Sequence, residues 1–147
     1  MARTALVTGG SQGLGKALTL TALEAGDQVV VTSRRPEALA DLAEAHPGRL
    51  QTVALDVTSP SQARKVVAAA ADRFGSLDVV VNNAGYATSS SVEDFPEDDF
   101  RAQIEVNLFG VINVTRAALP ILRGQRSGHF VQISSIGGRV GGTPGLS

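Results

Sequence analysis

The 147 residues contain no cysteine and no tryptophan, a single tyrosine (Tyr86) and two lysines (Lys16 and Lys65). Without cysteine there is no disulfide, no thiolate nucleophile and no Cys-based zinc site. An excess of one charge sign is also missing. The 13 basic and 14 acidic residues leave a formal net charge of -1, with no basic stripe of the kind nucleic-acid binding needs. No run approaches the ~18 apolar residues of a membrane span. Ala5-Leu6-Val7, interrupted by Gly9-Gly10, is too short for a signal-peptide core. Neither a nucleic-acid nor a membrane partner is expected, and the lack of cysteine fits a reducing, cytoplasmic setting. The two histidines, His46 and His129, stand at element ends. The acids Glu93, Asp94, Glu97, Asp98 and Asp99 read as a solvated face, so no metal site is expected.

What the chain does have is a balanced globular composition, 43% hydrophobic and 18% charged, at the length of one domain, residues 1–147. Short apolar runs alternate with helical patterns. Thr4 to Thr8 is predicted as a first strand, followed by a helix from about Gln12 to Ala25 with Leu14, Leu18 and Ala22 on one face. Gly26 caps it. Gln28 to Ser33 is continuously apolar at Val29-Val30-Val31, which suits a strand covered on both faces of a parallel sheet. Pro36 opens a helix that ends near His46-Pro47-Gly48. Leu50 to Leu55 is a third strand. Ser59-Pro60-Ser61-Gln62 is a capping-box pattern, starting a helix with Ala63, Val67, Ala70 and Phe74 on one face. Leu77 to Asn82 is a fourth strand, and Tyr86 to Phe95 a polar loop. Pro96-Glu97-Asp98-Asp99 begins a long helix to about Arg123, with a bend expected at Gly110. His129 to Ser134 is a fifth strand, and a Gly-rich loop follows. This alternation predicts an α/β fold with a parallel sheet and right-handed crossovers.

Between the first strand and the first helix stands Thr8-Gly9-Gly10-Ser11-Gln12-Gly13-Leu14-Gly15. Glycines there allow backbone to approach a pyrophosphate, and the helix N-terminus turns free N–H groups toward the anion. Further along come Leu55-Asp56-Val57, Asn82-Asn83-Ala84-Gly85, Val106-Asn107-Leu108 and Ile133-Ser134-Ser135. These five motifs, in this order, resemble the short-chain dehydrogenase/reductase family along nearly the whole chain.

The resemblance implies a Rossmann-type doubly wound sheet of five strands in order 3-2-1-4-5, incomplete at its C-terminal side. It implies a dinucleotide held by Gly9, Ser11, Gln12, Gly13, Leu14 and Gly15, by Asp56 and Val57 on the adenine side, and by Asn83, Ala84 and Gly85. The second strand ends in Ser33-Arg34-Arg35 without an acid. A basic group there favours a 2′-phosphate, so NADP(H) is expected over NAD(H), with Arg34 facing the phosphate and Arg35 assisting. Asp56 can instead be a turn aspartate, the two arginines solvated loop charges, and Asn82 a tie between strands. The parent reaction would be hydride transfer between the nicotinamide and a small-molecule carbonyl or secondary alcohol. Ser135, or its neighbour Ser134, matches the family's substrate-binding serine, and Asn107 its helix asparagine.

The family's Tyr-x-x-x-Lys motif is absent from these residues. The resemblance therefore implies the N-terminal portion of the family's domain, cofactor-binding but inactive alone. Alternatives are a non-catalytic dinucleotide-binding protein or an interaction module. An uncovered fifth strand and the apolar residues Ile104, Leu108, Val111, Ile112 and Leu119 lead to the expectation of a homo-oligomer or an aggregation-prone species, with the tail from Gly137 to Ser147 mobile or exchanged between chains.

Overall fold

Val29, Val30 and Val31 are each fully buried, although neighbouring side chains on a strand point to opposite faces. Both faces of the sheet must therefore be covered. The computed structural model describes residues 2–88 and 90–138. Its strands are β1 (Thr4–Val7), β2 (Gln28–Ser33), β3 (Leu50–Ala54), β4 (Val79–Asn82) and β5 (His129–Gln132). They pair in parallel in the order β3-β2-β1-β4-β5, the expected Rossmann-type topology. Helices α1 (Gly13–Glu24) and α2 (Ala40–Ala45) cover one face, where Val29 and Val31 meet Leu23, Leu39 and Val81. Helices α3 (Pro60–Phe74) and α5 (Val111–Gln125) cover the other, where Leu6, Val30 and Val80 meet Ala63, Val67, Val114 and Ala118. The fully buried Ala63, Ala70 and Ala118 let those two helices pack closely.

Several local expectations are corrected. On α1 the expected Leu18 and Ala22 pack, half-buried, against the core beside the buried Thr19 and Leu23, but at the helix start Gly15 is buried and Leu14 is not. The cause lies in the preceding loop. A Cβ on Gly10 would run into the Val31 side chain, and one on Gly15 into Gly9 and Asn83. The loop sits so close to the sheet that Gly15, which has no side chain, takes the inner face of the first turn. Leu14, 53% exposed, turns outward. Thr19 can be buried because its hydroxyl donates to the Gly15 carbonyl at 2.9 Å. After β2, Pro36 opens a 3₁₀ turn (Pro36–Leu39) and only then α2. At α3, Ser59 Oγ accepts from Gln62 N at 3.4 Å, but Gln62 Oε1 accepts from Asp56 N at 3.0 Å. The reciprocal arm of the capping box thus stabilises the loop after β3.

Residues Glu97–Gln125 form one helical run of 29 residues, made of α4 (Glu97–Ile104), a π-helical turn (Glu105–Gly110) and α5. Gly110, where a bend was expected, is the last residue of this π turn. The run is long and apolar enough to cross a membrane by length and composition, which apolar-run counting missed. Here its Val114, Ala118 and Leu122 instead form part of the core against α3 and the sheet. Strand β5 stops at Gln132, shorter than expected. Its side chains are largely exposed, and among the described residues it pairs with β4 alone. Of the expected tail, Gly137 and Gly138 belong to a 3₁₀ turn (Ile136–Gly138). Residues 139–147 lie outside the described ones.

At the opposite end of the sheet, Arg3 Nη2 meets Asp27 Oδ2 at 2.8 Å, and Arg3 N donates to Asp27 Oδ1 at 3.0 Å. Burial pushes the Asp27 carboxyl upward, but the hydrogen bonds and charge of Arg3 outweigh it and hold Asp27 below its usual value. A carboxylate depressed in the folded state contributes stability above its unfolded pKa, near ~4, and loses it as pH falls through the folded value. Acid unfolding followed by circular dichroism should show this loss below about pH 4. In Asp27→Asn that part of the pH dependence should be missing.

Candidate functional site

The C-terminal ends of β1 to β4 open into a cleft of about 850 Å³. Its floor depends on Thr8, buried where β1 ends. Thr8 Oγ1 accepts from Asn83 N and Ala84 N, both at 3.0 Å, and donates to the Val81 carbonyl at 3.3 Å. Asn83 answers with Nδ2, which donates to the Thr8 carbonyl at 2.9 Å and the Gly9 carbonyl at 3.1 Å. The β1–α1 loop and the loop after β4 are thereby joined through polar groups that both need partners. A Cβ on Gly9 would lie 2.8 Å from Ala84 Cα, and Gly9 has φ +67. Only glycine meets both demands.

Gly13 opens α1 with φ +53 and nothing within 4 Å of where its Cβ would be. The helix has no side-chain cap and no acid in its first turn. Its first N–H groups therefore face the cleft as donors, with the positive end of the helix dipole behind them. A cradle this open at the backbone, bounded by glycines, fits the pyrophosphate of a dinucleotide.

Every glycine-loop residue expected to bind cofactor lines the cleft: Gly9, Ser11, Gln12, Gly13, Leu14 and Gly15. So do Arg34, Asp56, Val57, Asn83, Ala84 and Gly85. Arg35 does not belong to the lining. Its backbone N–H donates to Ser33 Oγ at 3.1 Å, and its side chain is exposed. Asp56 is the turn aspartate and is also placed in the cleft lining. Its Oδ1 accepts from Thr58 N at 3.0 Å and Thr58 Oγ1 at 2.8 Å, an Asx turn. Asn82 is a tie between strands, donating through Nδ2 to Gln132 Oε1 at 2.9 Å and Thr115 Oγ1 at 3.1 Å.

Asn107 lies in the π turn, outside the lining. Its Oδ1 accepts from Tyr86 N at 3.0 Å and its Nδ2 donates to the Tyr86 carbonyl at 2.7 Å. This clamp fixes the backbone just after Gly85, whose added Cβ would stand 2.9 Å from Asn107 Oδ1. Ser135 is exposed, and its Oγ accepts from Gly137 N at 3.1 Å. Among the described residues no three His, Asp or Glu side chains are grouped to hold a metal ion.

Sequence reasoning singled out neither Thr8 as a hub nor Tyr86, Ala102, Glu105 and Val106 as lining residues. A threonine at the end of a buried strand was a signal for the first. The others depend on how the long helix docks, which no local pattern reports. Replacing Thr8 by valine keeps the shape and deprives two backbone N–H groups of their acceptor. That change should destabilise the fold by about 2 kcal/mol in denaturant titration, with Thr8→Ser restoring most of the loss.

A sequence model of the short chain dehydrogenase family matches residues 3–146. Oxidoreductase BOA17 of Botryotinia fuckeliana (strain B05.10) is 50% identical over 148 aligned residues, which cover 100% of this chain and 54% of the relative. The 3-oxoacyl-(acyl-carrier-protein) reductase FabG of Thermotoga maritima is 36% identical, over 97% of this chain and 59% of the relative. The chain thus spans a little over half the length of these curated relatives. Among solved structures, a short-chain dehydrogenase from Streptomyces avermitilis superposes with a TM-score of 0.91 at 43% identity, covering 95% of this chain and 52% of that one. ElxO with NADP bound gives a TM-score of 0.89 at 32% identity, covering 96% of this chain and 58% of that one. With its sheet order, glycine-bounded cleft and sequence pattern all in agreement, the chain belongs to the short-chain dehydrogenase/reductase family of oxidoreductases.

Proposed function

We propose that this chain forms the NADP(H)-binding part of an oxidoreductase that transfers hydride between the cofactor and a carbonyl or secondary alcohol. The observation that carries the reading is one continuous cleft. It runs from the uncapped first turn of α1 to the exposed Arg34, and no acid stands at the end of β2. The α1 amides would hold the pyrophosphate, and the Arg34 guanidinium would pair with a 2′-phosphate. Asp56, Val57, Ala84 and Gly85 would enclose the base and ribose. The bound dinucleotide would supply or accept the hydride. Ser135 would donate a hydrogen bond to the substrate oxygen. Asn107, through its clamp on Tyr86, would keep the cofactor wall in place. NADP in the related ElxO is consistent with this choice.

Calorimetric titration should show NADPH binding more tightly than NADH. Arg34→Asp should lower NADPH affinity by about tenfold or more and reverse the preference. Equal affinity for the two cofactors would remove Arg34 from the assignment.

In the same reading these 147 residues turn over no substrate alone. A serine hydroxyl is a poor acid or base at neutral pH without an assisting group. The one tyrosine, Tyr86, has its backbone held by the helix asparagine rather than standing in a Tyr-x-x-x-Lys pair. NADPH oxidation measured against a panel of aldehydes and ketones should therefore stay at background. Turnover abolished by Ser135→Ala or Tyr86→Phe would overturn this.

The chain is further proposed to self-associate. Phe100, Leu108 and Phe109 on the long helical run and Val131 and Ile133 at β5 are all exposed, and exposed apolar surface of this kind marks association sites. Light scattering should give a mass above that of the monomer, rising with concentration.

A further inference from the structure

The buried residue of helix α4 is a glutamine. Gln103 is enclosed, while Phe100 of the same helix stays exposed. A carboxamide taken out of water costs stability unless it is hydrogen-bonded, so an apolar side chain would serve packing better at this position. Gln103 Oε1 accepts from Thr88 N at 2.8 Å. One turn later Asn107 Oδ1 accepts from Tyr86 N, and its Nδ2 donates to the Tyr86 carbonyl. Gln103 and Asn107 stand on one ridge of the helical run, four residues apart. The neighbouring ridge, Ala102 and Val106, lines the cleft together with Gly85 and Tyr86.

The spacings match. Four residues of helix rise about 6 Å, and two residues of extended chain span about 6.6 Å. Pairing Asn107 with Tyr86 and Gln103 with Thr88 therefore lays the segment after Gly85 antiparallel along the helix, with a carboxamide at every second residue. The residues just before it, Asn83 and Ala84, are fixed to the β1–α1 loop through Thr8. Beyond Gly85 the backbone joins no strand up to Thr88, and the two carboxamides anchor it.

Resting on the cofactor reading above, we infer that Gln103 is a positioning residue for the dinucleotide site. Gln103 itself is outside the cleft lining. Its bond to Thr88 keeps the segment docked on the helix, so that Gly85 and Tyr86 form the cleft wall before a cofactor arrives. Asn107 alone would leave that wall held at a single point. A wall docked only part of the time lowers the apparent affinity by the docked fraction. Loss of one neutral hydrogen bond corresponds to binding about fivefold weaker.

Two readouts on the whole chain test this. With one tyrosine and no tryptophan, the emission comes from Tyr86 itself, and its anisotropy reports how firmly the segment is held. Gln103→Leu keeps the size and removes the acceptor. It should lower the Tyr86 anisotropy of the free chain and weaken NADPH binding about fivefold by calorimetry, with the circular dichroism spectrum unchanged. Gln103→Glu, which keeps an acceptor for Thr88 N, should restore the anisotropy and bring the affinity within about twofold of wild type. Thr88→Pro removes the donor instead, and adding Gln103→Leu to it should cause no further loss. Should the leucine variant not fold, Thr88→Pro alone carries the same two expectations, and wild-type values in it overturn the inference. Wild-type values in Gln103→Leu, equal losses in the leucine and glutamate variants, or additive losses in the double variant overturn it while the cofactor reading stands. Failure of NADPH to bind the wild-type chain overturns both.

Discussion

Everything at the cleft depends on Thr8 and Asn83. A parallel sheet delivers its strand ends to one edge but does not hold the following loops together, because each loop leaves for a helix on one face or the other. Here the Thr8 hydroxyl accepts from two consecutive amides after β4, and the Asn83 amide group donates to two consecutive carbonyls after β1. Four backbone groups that would otherwise need water are paired across strands far apart in sequence. The bonds also fix a distance. Gly9 and Ala84 come into backbone contact, and that contact sets the width of the cleft where a pyrophosphate would cross.

The π turn extends the same constraint to the next layer. An α-helix running straight from Glu97 to Gln125 would present side chains at fixed intervals of about 100°. The wider turn at Glu105–Gly110 changes that phase in the middle. It lets Asn107 reach the backbone of Tyr86 while, a turn further on, Gly110 and Asn113 meet Val57. One helix thereby touches both walls of the cleft, and the loops after β3 and β4 cannot move independently. The polar side chains at 107 and 113 are engaged with backbone groups, which is why so apolar a helix carries them.

The strand order and helix coverage were legible because they follow from periodicity and from motifs that sit at strand ends. The continuously apolar Val29-Val30-Val31 announced a sheet covered on both faces, and two separate cores now account for it. The glycine loop was legible for a similar reason: its conformational demand is local. The first turn of α1 was not. Leu18 and Ala22 pack against the core as their spacing suggests, but Leu14 turns outward because the close approach of Gly10 and Gly15, a tertiary effect, overrides the pattern there. The two bond partners of Gln62 were ambiguous in the same way. A full capping box and a cap whose glutamine side chain ties to Asp56 look identical in sequence, and the structure has the second.

What the cleft can discriminate follows from how charge is distributed along it. Its middle is a helix N-terminus that no side chain caps, so the positive potential there is fixed by backbone and has no competing internal anion. Arg34 adds an exposed cation, and Asp56 and Glu105 add acceptors. Steering of this sort weakens as ionic strength rises for the exposed Arg34, but less for amides held in place by the Thr8–Asn83 knot. The backbone donors would therefore set whether a dinucleotide binds, and the side chains at its adenosine end which dinucleotide it is.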